Sequence, residues 1–173
     1  MVSLGTLPGH NSSGASDVSD DGSVVVGTSG SSSQSEAFRW TSAGMVGIGE
    51  LPGGLYSSNA NGVSADGSVI LGASVNATTT EGYRWAQAGG LQGLGILPGY
   101  DLSTAEGVSA EGSAVVGYSS SNLAYAAEAF LWTSSAGMLG LESLPGTDVS
   151  QAYAVSGDGS IVVGTAASIG EPA

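Results

Sequence analysis

One pattern recurs along nearly the whole chain, and it dictates what the chain can fold into. LGTLPG ends at Gly9 and returns as IGELPG ending at Gly53, LGILPG ending at Gly99 and LESLPG ending at Gly146. A second block follows each time: ASDVSDDGSVVVG, ANGVSADGSVILG, AEGVSAEGSAVVG and AYAVSGDGSIVVG. A third occurs three times, as EAFRW at 36–40, EGYRW at 81–85 and EAFLW at 128–132. The prolines Pro8, Pro52, Pro98 and Pro145 set a period of about 45 residues. Periodic self-similarity of this length marks an array in which each unit cannot bury its own faces and stacks on its neighbours. The 173 residues therefore read as a single repeat domain, 1–173, with three full repeats and an incomplete fourth. The segment Met1–Leu7 has the register of Met45–Leu51, while the chain stops at Glu171-Pro172-Ala173, where a fourth aromatic block would be due. That frame leaves open a fragment of a longer array.

Within a repeat, the runs Ser23–Gly27, Ser68–Gly72, Ser113–Gly117 and Ser160–Gly164 are β-branched and bounded by Gly. They predict short strands buried on both faces. The Asp-Gly or Glu-Gly before each run is a hairpin signal, and Gly supplies the positive φ such turns need. Ala-x-x-Val-Ser, as at Ala60–Ser64, predicts the partner strand. The aromatic block alternates apolar and polar residues and predicts a third strand. The Met-to-Leu segment predicts a fourth, stopped by Leu-Pro-Gly because Pro removes a ladder donor. The expected fold is all-β, a propeller-like array of four-stranded repeats, since four short strands in about 45 residues match one propeller blade. The alternative is a β-solenoid, which would divide each repeat into coils of roughly 20–25 residues. No apolar run of 18 residues occurs, so no transmembrane helix is expected, and the first residues lack the basic and apolar regions of a signal peptide.

Composition excludes several functions. Fifteen acidic residues face two cations, a net charge of −13. That leaves no basic footprint for nucleic acid or for an anionic membrane surface. With no Cys and one His, thiol chemistry and multi-His metal sites are excluded within one chain. No nucleophile, acid and base converge in the sequence, so the expectation is not an enzyme and no cofactor.

The candidate sites are few. Asp21, Asp66 and Asp158 precede the turn glycines. They are weak Ca²⁺ candidates, because Ca²⁺ takes carboxylate and carbonyl oxygens; Asp before Gly is also ordinary turn chemistry. Arg39 and Arg84 occupy equivalent positions beside Trp40 and Trp85, with Leu131 in the third copy, and local pairing with Glu36 or Glu81 is expected. His10 stands at a variable position, matched by Gly54, Tyr100 and Thr147, and reads as surface loop. Per-repeat variation falls after Leu-Pro-Gly and between the second and third strands, where binding faces of repeat proteins tend to form. Tyr56, Tyr100, Tyr118 and Tyr125 lie in those stretches and are the binding-loop candidates, for protein or glycan.

The combined pattern A-x-x-V-S-x-D-G-S-x-V-V-G, E-A-F-R-W and G-M-x-x-L-G-x-L-P-G resembles the bacterial HAF-repeat proteins, described as probable extracellular repeat proteins. Glu36-Ala37-Phe38 and Glu128-Ala129-Phe130 carry the name, and the middle copy departs with Gly82-Tyr83. The resemblance implies an exported or surface-attached repeat protein and assigns no catalytic residues. The function expected is an extracellular or cell-surface structural and adhesive module making protein or glycan contacts, with a lectin-like ligand-binding propeller as the alternative. A missing strand would leave an open sheet edge. A neighbour could fill it by strand addition, giving a homo-oligomer and, if the contact does not close, a filament.

Overall fold

The structure is a computed structural model that describes residues 2–122 and 126–168, with the Tyr56 side chain outside that description. Strands account for all its regular structure. The first unit holds β1 (Ser12–Val18), β2 (Val25–Gly30), β3 (Ser35–Thr41) and β4 (Gly44–Gly49). The second holds β5 (Gly54–Val63), β6 (Val69–Asn76), β7 (Thr80–Ala86) and β8 (Gly90–Gly93). The third holds β9 (Leu102–Val108), β10 (Ala114–Ser120), β11 (Ala127–Thr133) and β12 (Gly137–Gly140). Two strands follow, β13 (Val149–Val155) and β14 (Val162–Ala167). Strands within each unit pair antiparallel in chain order. Single parallel pairs, Ser35 with Ser57 and Ala127 with Val149, link the first unit to the second and the third to the fourth.

The hairpins form as their sequences predict. Gly22, Gly67, Gly112 and Gly159 take φ of 71°, 71°, 68° and 76°. These values cost a Cβ-bearing residue and not Gly. The glycines inside the second strands have a different reason. A Cβ on Gly27, Gly72, Gly117 or Gly164 would sit 2.0, 1.8, 2.0 or 1.9 Å from a first-strand carbonyl oxygen. Beside each of them the first strand is irregular, as between Ala60 and Gly62, and its backbone presses onto the second strand.

Each second strand sends alternate residues to opposite neighbours, as a strand must. Val26, Leu71 and Val116 point to the following unit and are 0% exposed. Ile70 and Val115 point to the preceding one and are also 0% exposed. Apolar layers result. Val24, Val26 and Ala37 pack against Leu51, Ala60, Val63, Ile70 and Tyr83. Leu71 and Leu94 pack against Leu97, Ala105, Val115, Phe130 and Trp132. Val116 and Ala129 pack against Ala152, with Val155 and Val162 partly covered.

Polar stitches cross the same interfaces. Ser58 Oγ accepts the Ala37 N–H (3.0 Å) and donates to the Gly49 carbonyl (2.8 Å). Ser103 Oγ does the same with Gly82 (2.9 Å) and Gly95 (2.6 Å). Ser150 Oγ accepts the Ala129 N–H (3.0 Å). A backbone series runs between the hairpin turns: Asp20 N–H to Ala65 C=O, Ala65 N–H to Ala110 C=O, Ala110 N–H to Gly157 C=O, at 3.0, 3.1 and 3.0 Å.

Two expectations need correction. The run at 160–164 is not buried on both faces: Ile161 is 64% and Val163 56% exposed. They hold the same repeat positions as the buried apolar copies, but no described unit lies over them. The segment 2–7 has the fourth-strand sequence yet forms no strand, because among the described residues no third strand stands beside it to pair.

Candidate interaction surfaces

The outward face of the fourth unit repeats, position by position, residues that the other units bury. Val163 corresponds to Val26, Leu71 and Val116, and Ile161 to Val24, Val69 and Ala114. The three copies of Ile161 are 3%, 4% and 4% exposed. At the other end, Val18 is 51% exposed, whereas its copy Val63 is 6% exposed. Ala15 is exposed as well, and its copies Ala60, Ala105 and Ala152 are buried. The two end faces are thus the two halves of the interface that recurs inside the molecule.

The edge of the fourth unit is a second surface. Within the described residues β14 pairs only with β13. Its copies β2, β6 and β10 are flanked on both sides. Beside it lies a cleft of about 290 Å³ lined by residues that include Leu141, Leu144, Ala152 and Val162. Leu144 is 65% exposed, against 5%, 7% and 7% for Leu7, Leu51 and Leu97. Those three leucines donate their N–H to Ser29, Ser74 and Ser119 at 3.1, 3.0 and 3.1 Å. The fourth copy of that serine is Ala166.

The sequence candidates fall elsewhere. Asp21 Oδ1 accepts the Ser19 hydroxyl (2.8 Å) and the Ser23 N–H (2.9 Å). Asp66 does so with Ser64 (2.6 Å) and Ser68 (3.0 Å), and Asp158 with Ser156 (2.6 Å) and Ser160 (3.0 Å). Hydrogen bonding holds the carboxyls of Asp21 and Asp66 below the ordinary range and that of Asp158 down to about 2. Each aspartate closes its own hairpin. Among the described residues no group of three or more His, Cys, Asp or Glu side chains is arranged to hold a metal.

Of the tyrosines, Tyr118 is in strand β10, paired with Ala129, and not in a loop. The strand runs on to Ser120 because Ser119 is a buried pairing position. Tyr56 falls in β5, since that strand begins at Gly54. Tyr100 follows Leu-Pro-Gly as expected, but it packs on the second apolar layer. Burial and the neighbouring Glu128 carboxylate, which it also hydrogen-bonds, push its phenol pKa up. Tyr125 lies outside the described residues.

Arg84 does not take Glu81 as its expected partner. Its guanidinium carbon is 5.8 Å from the ring centroid of Trp132 in the next unit, a cation–π distance. Glu81 Oε1 instead accepts the Gly95 N–H (2.9 Å), and Glu36 Oε1 the Gly49 N–H (3.1 Å). Leu131, the third copy of this position, packs on the last apolar layer. His10 is half-buried and borders a cleft of about 260 Å³ with Gln34, Glu36, Glu50 and Ser58. The cleft was not legible in the sequence, because His10 and Ser58 meet across two units.

No family model matches the chain, and no curated protein matches it. Solved structures do. TolB from Acinetobacter baumannii superposes with a TM-score of 0.66 at 14% identity, over 93% of this chain and 39% of that one. A structure assigned as TolB from Agrobacterium tumefaciens gives 0.60 at 18% identity, over 91% and 54%. The chain therefore spans about two-fifths to one-half the length of these structures. At such identity the likeness concerns fold alone: an all-β, β-propeller-like repeat.

Proposed function

We propose that this chain is a structural and adhesive repeat module of an extracellular or cell-surface protein, of the HAF-repeat kind, and that it works by protein contact. Its units are read as propeller blades, supported by strands that pair antiparallel in chain order within each repeat. The observation that carries the functional reading is the exposure of Ile161 and Val163, at 64% and 56%, where identical sequence positions elsewhere are covered. Apolar side chains arranged as one half of a recurring interface favour a matching half. The first unit of a second copy presents that half through Ala15 and Val18. Sedimentation equilibrium tests this. Wild-type chain is expected to associate with rising concentration and Val163→Asp to remain monomeric. A wild-type chain that stays monomeric up to millimolar concentration overturns the reading.

One observation favours a second, lectin-like reading. The cleft at His10 is lined by Glu36, Glu50 and Ser58, a set of acceptors and donors suited to sugar hydroxyls. A glycan array probed with wild-type chain and with Glu50→Gln tests it. Binding confined to the wild type supports a sugar site there; a blank array rejects it.

A further inference from the structure

The cleft at His10 holds a carboxylate that the repeat does not supply. Glu50 stands where the other units have Thr6, Ile96 and Ser143. Room for it comes from Gly54, the second-unit copy of His10: a Cβ there would lie 2.5 Å from the Glu50 carboxyl carbon. Glu50 Oε2 accepts the Ser57 N–H (3.3 Å) and Glu36 Oε1 the Gly49 N–H (3.1 Å), so each carboxylate is anchored through one oxygen. His10 Nδ1 is buried without a hydrogen-bond partner among the described residues, a cost that a ligand hydrogen bond removes.

The third unit shows what fits against such a carboxylate. Its copy of Glu36 is Glu128 and its copy of His10 is Tyr100, whose ring hydroxyl hydrogen-bonds Glu128. The imidazole of His10 is shorter and carries no hydroxyl, and the first unit has an open cleft of about 260 Å³ at this place. That volume is just below the ~300–1,000 Å³ of pockets for drug-sized ligands and suits one sugar ring. The sequence has no Lys, and neither Arg39 nor Arg84 lines the cleft. A carboxylated or sulfated sugar would meet two carboxylates and no cation.

We infer that this cleft binds a sugar bearing a protonated amine, with a ring hydroxyl donating to Glu36, as Tyr100 does to Glu128, and the ammonium donating to Glu50. The inference rests on the lectin-like reading above and narrows it to amino sugars. A second ring hydroxyl pairs with His10 Nδ1. Bonds from an ammonium to a carboxylate are about twice as strong as neutral ones, so the amine supplies most of the selectivity. The net charge of −13 draws the cation in.

The probe is a tetramer of glucosamine, titrated calorimetrically into the full chain at about pH 5.5, which keeps the sugar amine protonated. Its N-acetylated counterpart has the same rings without the charge and should bind at least about 10-fold more weakly. Glu50→Gln, which keeps an acceptor for the Ser57 N–H, should weaken binding of the charged tetramer similarly. His10→Tyr builds the third unit's phenol into the cleft and should abolish binding. Glu111→Gln removes the same charge from a hairpin turn of the third unit and should bind unchanged, which separates the cleft from the attraction of the whole chain. Equal binding of the two tetramers, or equal loss in Glu50→Gln and Glu111→Gln, overturns the amino sugar. Equal binding of spermidine, an amine without a sugar ring, overturns it too. If the N-acetylated tetramer binds as well and His10→Tyr still abolishes it, the lectin-like reading stands without the amine; if neither tetramer binds, both fall.

Discussion

Three of the four hairpin turns are held by one serine and one aspartate, and the third copy, which lacks the aspartate, shows what it does. Ser64 Oγ accepts the buried Val69 N–H (3.0 Å) while donating to Asp66 (2.6 Å). In the third unit Glu111 replaces the aspartate, and Ser109 lies 3.3 Å from the Ser113 hydroxyl instead. Ser64→Ala leaves the Val69 N–H without its acceptor and should cost about 1–3 kcal/mol in urea unfolding. Glu111→Asp should restore the local closure and stabilise by about 0.5–1 kcal/mol in the same measurement. The pH dependence follows from the depressed carboxyls. Their folded pKa values lie below the ordinary 3.8, down to about 2 for Asp158. The folded state therefore binds fewer protons there than the unfolded one. The stabilisation is complete above about pH 3.8 and is lost as pH falls toward 2. Glu106 has the opposite sign, because burial raises its pKa above the ordinary 4.5. Glu106→Gln should stabilise at neutral pH, and the gain should vanish as pH falls through the ordinary range; thermal melts at pH 7 and pH 3.5 compare the two.

At the level of strands, one short run of Val and Ile has different worth in different places. Leu71 is sealed between two units, whereas Val163 faces outward at 56% exposure. Leu71→Ala should cost about 2–5 kcal/mol. Val163→Ala should change monomer stability by less than about 0.5 kcal/mol; chemical unfolding of both variants makes the comparison. This contrast explains which parts of the fold the sequence could reveal. The four strands per repeat, the Asp-Gly hairpins and the Leu-Pro-Gly stops were all legible, because each depends on local pattern. What lies across Val163, where Arg84 points and how far Tyr118 sits inside a strand depend on neighbouring units. Those neighbours come from residues about 45 positions away, and no local period encodes them. The cleft beside β14 shows the same limit. Its lining comes from β11, β13, β14 and the segment after β12, which meet only in the folded chain.

For the molecule as a whole, stability should grade along the array. Among the described residues the two middle units are covered on both faces and the first and last on one, so unfolding should begin at the ends, and first at β14, whose edge is also unpaired there. Native-state hydrogen exchange should find β6 and β10 most protected and β14 least; equal protection throughout would show that the units do not behave as a stack. The net charge of −13 opposes any approach of two copies. Raising salt from 0.02 to about 0.5 M shortens the screening length to a few ångströms and should strengthen association several-fold in sedimentation. The backbone series that joins the turns adds a geometric rule. Every bond in it has its donor on the earlier unit and its acceptor on the later one, from Asp20 through Ala65 and Ala110 to Gly157. The array therefore has a polar axis, with an amide proton offered at one end and a carbonyl at the other. Two copies related by a twofold rotation through either end would set donor against donor or carbonyl against carbonyl. An assembly that continued this series from copy to copy would therefore consist of chains all pointing the same way.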